Sequence, residues 1–237
     1  MTATSSRIPG FYRLGPLERR RRLAELAELP GERFAALDPG GLTVDVADGM
    51  IENVVGVYAL PFAVAVNFAV DGADVLVPMA VEEPSIVAAA SNAARMARPT
   101  GFTATASAPV MIGQIQVTQV ADVAAGAAAL RRHAGELLAE ARALVPRLAD
   151  RGGGPVELEV RTLATAGEDG GVIVVHLHVD CRDAMGANLV NTLCEALAER
   201  VAGVADGEPG LRILSNLTDR RTIRVTCAID AARLGAD

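Results

Sequence analysis

Tryptophan is absent from the chain, and aromatic residues fill only 3% of its 237 positions. The core must therefore be built from Ala, Val, Leu and Ile, and stacking on nucleic-acid bases is not expected. Positive charge is also scarce. With 22 Lys and Arg against 29 Asp and Glu, the formal net charge of −7 argues against a nucleic-acid partner. Cysteine is confined to Cys181, Cys194 and Cys227, odd in number, widely spaced and without a CxxC pair. Neither a disulfide framework nor a cysteine zinc site is indicated, and a reducing cytoplasm fits. The segment MTATSSRIPGFYRL lacks the apolar core of a signal peptide, and the apolar stretch from Val54 to Val70 is broken by Gly56, Pro61 and Asn67, so no membrane segment is expected. A GxGxxG after a strand, a P-loop and a GxSxG elbow are all missing.

A hydrophobic content of 51% supplies ample core for one large domain or two small ones. The stretch with most chemistry is VLVPMAVEEPSIVAAASNAARMAR, from Val75 to Arg98. Val75 to Val81 is a nearly unbroken apolar run, as in a strand covered on both faces. Glu82 and Glu83 interrupt it, and Pro84 has the fixed φ of a first helical position, which places Glu83 at the helix cap. Either Glu83 is an ordinary acidic cap or it is a catalytic acid whose burial outweighs the helix dipole and raises its pKa.

Elsewhere, Pro16 opens a helix carrying Leu17, Leu23, Leu26 and Leu29, closed by Pro30 and Gly31. The basic run Arg19 to Arg22 lies among Glu18, Glu25 and Glu28, and reads as a solvated helix face, with a patch for an acidic ligand as the alternative. Asp38 to Gly41 is a turn. Tyr58 to Val70 and Val75 to Val81 are strand-like about a tight turn at Asp71 and Gly72. From Pro109 the organisation changes, and a domain boundary is placed there. The following segments read as a strand from Val110 to Val120, a helix from Asp122 to Leu148 and strands at Val156 to Leu163 and Val172 to Val179. Gly167, Gly170 and Gly171 mark the turn between those two strands. A helix from Ala184 comes next, with Met185, Leu189, Leu193, Leu197 and Val201 in one apolar stripe, then strands at Leu211 to Leu214 and Thr222 to Ile229. The order is β-α-β-β-α-β, the ferredoxin-like arrangement, so the fold class is α+β.

A second candidate site is CRDAMGANLVNTLCEAL, from Cys181 to Leu197. Free amides at a helix start suit a phosphate and Gly186 permits close approach. Asp183 would repel phosphate and is better used on a ribose hydroxyl or an amide, with Asn188 and Asn191 as neutral partners. The bland alternative is an Asp cap with a glycine at a helix crossing. His176 and His178 share one face of a strand, but no Cys or carboxylate completes a set at typical sequence spacing, so a hydrogen-bonded sheet face is expected and no metal. His133 is assigned no role.

With those residues laid out, the chain resembles the N-terminal half of the class II, bacterial 3-hydroxy-3-methylglutaryl-coenzyme A (HMG-CoA) reductases. The likeness runs through RIPGFYRL, ADGMIENVVGVYALPFAVAVNF, VLVPMAVEEPSIVAAASNAARMAR, APVMIGQIQV, VDCRDAMGANLVNTLCEAL and LRILSNLTDRR. It implies that Glu83 is the catalytic glutamate and that Ser85 lies where the hydroxymethylglutaryl group is held. It matches Asp183 to Asn188 to a dinucleotide-binding motif, so Asp183, Met185, Gly186 and Asn188 become cofactor residues. Glu52 to Gly56 resembles a segment at the dimer interface. The implied reaction takes HMG-CoA to mevalonate and free coenzyme A with two hydrides from NAD(H) or NADP(H). The implied domains are residues 1–109 as the first part of a large mixed α/β substrate and dimerisation domain, 110–218 as a small inserted ferredoxin-like domain, and 219–237 as the return. Ala143, Leu144 and Val145 fall where a carboxylate for an NAD ribose is expected, so NADPH as well as NADH is open to the chain.

The family's catalytic lysine, second carboxylate, thiolate-protonating histidine and a glycine-rich loop lie beyond the matched half, and this chain contains no lysine. The expectation is an oxidoreductase complete only with a partner fragment, and its expected partner is a second copy in a homodimer or a complementing C-terminal fragment. The alternative is a non-catalytic remnant or split-enzyme subunit that only binds nucleotide or coenzyme A.

Overall fold

The computed structural model describes residues 3–38, 41–163 and 171–235. Pro39 and Gly40 of the expected turn, and Gly167 and Gly170 of the later one, lie outside them. The chain forms two compact units, one gathering the residues up to Thr105 with those from Arg224 on, the other Ala106 to Ile223.

The first unit contains α1 (Pro16–Leu26), the short α2 (Val44–Asp48), β1 (Phe62–Val70), β2 (Ala73–Ala80), α3 (Ile86–Ala97), β3 (Phe102–Ala106) and β8 (Ile223–Cys227), in a sheet ordered β2-β1-β3-β8. Asp71 and Gly72 join β1 to antiparallel β2, both with positive φ of 49° and 80°. That is the backbone of a tight hairpin turn matched to strand twist, which the Asp-Gly pair predicts. The Asp71 carboxylate also accepts the Ala104 amide at 2.9 Å, tying the turn to β3. The strand expected from Tyr58 begins only at Phe62, and β3, not foreseen from the sequence, pairs parallel to β1 at Val70 and Phe102. Val64, Val66 and Leu76 pack with Ile8, Leu23 and Leu26 into a small core. Only Leu76 of β2 is fully buried, so the strand is not covered on both faces within the described residues.

Residues Ala3 to Ile8 bind alongside this sheet. Asn67, at φ 73°, sits in a β-bulge of β1, where its amide donates to the Ser6 carbonyl (2.8 Å) and the Val66 amide to Ser91 Oγ of α3 (3.1 Å). The extra residue leaves ladder groups that arm and helix then satisfy. Arg98 clamps the arm by donating to Ser6 Oγ (2.8 Å) and pairing with Asp74 (2.6 Å). Burial pushes the Asp74 carboxyl up, but the Ser6 hydroxyl and the Arg98 guanidinium outweigh it and hold the pKa below its ordinary 3.8.

The second unit runs β4 (Val110–Val120), α4 (Val123–Ala143), the short α5 (Pro146–Ala149), β5 (Gly154–Leu163), β6 (Gly171–Asp180), α6 (Ala187–Ala205) and β7 (Glu208–Leu214). Its antiparallel sheet is ordered β5-β6-β4-β7. The helix expected from Asp122 to Leu148 breaks after Ala143, and Pro146 starts the separate turn of α5, because proline cannot donate to a continuing helix. Ile173, Val175, Leu177 and Val179 alternate on one face of β6 and meet Leu130 and Leu137 of α4 and Val190, Leu193, Leu197 and Val201 of α6. A Cβ at Gly113 would stand 2.4 Å from Cys194 Sγ, so glycine there lets α6 settle directly on β4. Burial pushes the Cys194 thiol up to about 12 and raises that of Cys181, which leaves both as core residues. Among the described residues no helix is long and apolar enough to cross a membrane.

Candidate functional site

The connection from β2 to α3, Val81 to Ser85, holds Glu83 between two backbone outliers. Val81 has φ 65° and Ser85 φ 75°, left-handed values that cost of the order of 1–3 kcal/mol for a residue with a Cβ. Such strain persists only where the surroundings enforce it. Here the Val81 amide donates to the Pro61 carbonyl (3.2 Å), and the Ser85 carbonyl accepts the Ala89 amide inside α3 (2.8 Å). The cap of α3 is thus Ser85 rather than Glu83, and its hydroxyl makes no capping bond. Pro84 lies before the helix, so the carboxylate of Glu83 is not spent on the first-turn amides in the expected way. Glu83 is exposed, and the desolvation expected from the preceding strand is not supplied by it.

Glu83, Pro84 and Ser85 open onto a groove of about 1720 Å³ within the first unit. Its walls include Ser91, Asn92 and Arg95 of α3, Asn67 of the bulge, and the arm residues Arg7 to Tyr12. Six arginines (Arg7, Arg19, Arg20, Arg95, Arg98 and Arg233) line it against two acids, Asp38 and Glu83. Arg20 pairs with Asp38 and Arg98 with Asp74, while Arg7, Arg19, Arg95 and Arg233 form no ion pair among the described residues. In a chain of net charge −7 this is a local concentration of positive charge, which favours an anionic ligand. The sequence showed Arg19 and Arg20 as part of a solvated helix face, with a patch for an acidic ligand as the alternative. Arg7, Arg95 and Arg233, hundreds of ångströms apart along an extended chain, carried no local signal.

In the second unit, Asp183, Ala184 and Met185 form the turn after β6, and α6 begins at Ala187 with Gly186 as its cap. The helix start is thus three residues later than expected, and Met185 lies outside the apolar stripe, 71% exposed. Gly186 has φ 90°, and a Cβ there would come within 2.5 Å of Cys181 Sγ. Glycine is demanded by backbone and packing together. Because Gly186 offers no side-chain cap, the first amides of this 19-residue helix have no side-chain partner from their own cap, the arrangement a phosphate uses. Asp183 and Asn188 are exposed beside it. Arg221 holds the turn by donating to the carbonyls of Ala184 (3.2 Å) and Met185 (3.3 Å), a role not foreseen from the sequence.

The histidines also depart from expectation. Glu159 of β5 stands directly across from His176, and its carboxylate lies 3.9 Å from His176 Nδ1 and 3.4 Å from His178 Nε2. Sequence spacing hid this carboxylate because strand pairing, not a short motif, supplies it.

Comparison with known proteins shows the family. The model of the family hydroxymethylglutaryl-coenzyme A reductase matches residues 17–236. A 3-hydroxy-3-methylglutaryl-coenzyme A reductase of Archaeoglobus fulgidus is 47% identical over 236 residues, which are 99% of this chain and 54% of that protein. A probable reductase of the same name from Borreliella burgdorferi is 27% identical over 224 residues, 94% of this chain and 50% of that one. Among solved structures, a 3-hydroxy-3-methylglutaryl-coenzyme A reductase from Streptococcus pneumoniae superposes with TM-score 0.88 at 35% identity, covering 95% of this chain and 53% of its own. The class II enzyme from that organism bound to NADPH in open conformations gives TM-score 0.88 at 36% identity, covering 95% and 61%. The chain spans about half the length of the curated relatives it matches. On the extent of the family match and the identity to the archaeal relative, this chain belongs to the hydroxymethylglutaryl-coenzyme A reductase family.

Proposed function

We propose that the chain is the proton-donor and dinucleotide-binding portion of a reductase that takes HMG-CoA to mevalonate and free coenzyme A. The observation that carries this reading is the strained Val81 to Ser85 connection, which presents Glu83 and Ser85 to an arginine-lined groove. In it, the unpaired Arg7, Arg19, Arg95 and Arg233 receive the phosphates and carboxylate of the acyl-coenzyme A, the Ser85 hydroxyl positions the hydroxymethylglutaryl group, and Glu83 delivers a proton to oxygen as the thioester carbon is reduced. NAD(P)H supplies the hydrides when bound. On the second unit, read as the inserted ferredoxin-like domain of residues 110–218, the α6 amides take the pyrophosphate. Asp183 and Asn188 take hydroxyl or amide groups, and exposed Met185 offers an apolar contact. Residues 1–109 and 219–237 are assigned to the large domain. Neutral residues at Ala143 to Val145 set no carboxylate against a 2′-phosphate, so both NADH and NADPH are admitted.

The chain has no lysine, so an ammonium to polarise the thioester must come from a partner segment outside these 237 residues. The same partner covers the apolar residues Met50, Ile51, Val55, Tyr58 and Val81, all more than 60% exposed. A complementing fragment in the cytoplasm that carries the relatives' remaining length meets this need, whereas a homodimer of this lysine-free sequence does not by itself. The test is to mix the purified chain with a polypeptide carrying the remaining length of the relatives and to follow HMG-CoA-dependent oxidation of NADPH and NADH. Turnover that needs both pieces is expected. Turnover by this chain alone would overturn the division of roles. No turnover, with coenzyme A and NADPH still bound by the chain, would leave it a binding module.

A further inference from the structure

The face of the second unit's sheet that turns away from α4 and α6 carries a group of side chains the reductase reading does not use. His176 and His178 project from it, alternating with the core residues Val175, Leu177 and Val179. Both are more than nine-tenths buried, at 4% and 1% exposure. His176 Nδ1 and His178 Nε2 have no hydrogen-bond partner among the described residues. A buried polar atom without a partner is costly enough that native structures rarely keep one without a reason. These two atoms are the same ones that approach the Glu159 carboxylate, and the three ligand atoms lie within 4.8 Å of one another.

We propose that Glu159, His176 and His178 bind a divalent transition metal ion of the zinc class, clipping β5 to β6. Zinc takes imidazole nitrogen and carboxylate oxygen at about 2.0–2.2 Å in tetrahedral geometry, which sets neighbouring ligand atoms roughly 3.3 Å apart. His178 Nε2 and Glu159 Oε2, at 3.4 Å, already have that spacing, and His176 Nδ1 at 3.9 Å reaches it by a small rotation. Arg161 and Arg220 stand 3.8 and 4.0 Å from the Glu159 carboxylate and oppose a cation. Both side chains are about half exposed, at 47% and 48%, and are free to turn outward, while Asp219 and Glu157, opposite His178, keep the surroundings from being wholly basic. Two histidines and one carboxylate leave a coordination position for water.

The site does not depend on the reductase reading, and its test needs no substrate. Chain stripped with a chelator is titrated with Zn²⁺, and with Co²⁺ as a spectroscopic probe, while bound metal, visible absorption and Tm are measured. One Zn²⁺ per chain, a tetrahedral Co²⁺ spectrum and a raised Tm are expected. Glu159→Gln, at a partly exposed position that tolerates the change, should weaken binding by about tenfold or more, the scale found when even a supporting partner of a metal ligand is removed. His178→Gln should do the same, whereas His133→Gln and Cys227→Ser should bind as the parent does. If His178→Gln fails to fold, Glu159→Gln decides alone. Absence of stoichiometric binding by the parent chain, or undiminished binding by Glu159→Gln, overturns the proposal.

Discussion

Glu82 and Glu83 are adjacent, exposed and chemically alike, and only position separates them. Glu83 opens onto the arginine groove and Glu82 is not among the groove residues. In the reconstituted enzyme, Glu83→Gln should leave substrate binding nearly intact and lower kcat by about a hundredfold or more, while Glu82→Gln does much less. Equal small effects would reduce Glu83 to a connecting residue. At the turn proposed to bind the dinucleotide the informative substitution is Asp183→Ala, because Gly186→Val forces a branched side chain against Cys181 Sγ at a φ of 90° and damages the fold as well. Loss of NADPH binding in Asp183→Ala with an unchanged Tm is the expected outcome. The cysteines allow a third residue-level check. Cys181 and Cys194 are buried with raised thiol pKa values and Cys227 is exposed, so a thiol reagent should modify one cysteine in the native chain and all three after denaturation.

Among the elements, the bulged strand β1 organises the first unit, since Val66 and Asn67 turn their amides to α3 and to the N-terminal arm. The arm is then locked by Ser6, Asp74 and Arg98, and because it also forms a wall of the groove, its order bears on ligand binding. The folded Asp74 pKa lies below 3.8, so the unfolded chain binds this proton more readily than the folded one does. The stability it contributes is complete above pH 3.8 and is lost as pH falls through the lower folded value. Asp74→Asn should therefore cost about 2 kcal/mol near neutral pH, the scale of a hydrogen bond to a charged group. Urea titrations should show the gap between parent and variant closing in acid below pH 3.8. A gap independent of pH would mean that the carboxylate charge does not hold the arm.

At the level of the whole molecule the two units differ in how they are filled. The second has a continuous core in which α4 and α6 cover one face of a four-stranded sheet, whereas the first buries a few residues around Leu76 and leaves Val55, Tyr58 and Val81 open to solvent. Hydrogen exchange on the chain alone should protect β4 and β6 far more strongly than β2 and β8, because local opening is cheapest where apolar contacts are few. Equal protection in both units would show that the thin core is no weaker than the thick one.

Elements whose signals are local can be read from the residues alone. The Asp71-Gly72 hairpin and the alternation in β4, β5 and β6 are legible because turn chemistry and side-chain period act over a few residues. The Glu83, Ser85 and Asp183 to Asn188 candidates came from resemblance and from their place at strand-to-helix junctions. Tertiary structure alone decided what distant residues do together. It moved the α3 cap from Glu83 to a left-handed Ser85, and left Glu83 exposed where an apolar run had promised burial. It also gathered Arg7, Arg95 and Arg233 about one groove and set Glu159 against His176 and His178 by the register of β5 on β6. Charge and ligand clustering arise from pairings between segments far apart in the chain, and neither composition nor periodicity encodes which segments will meet.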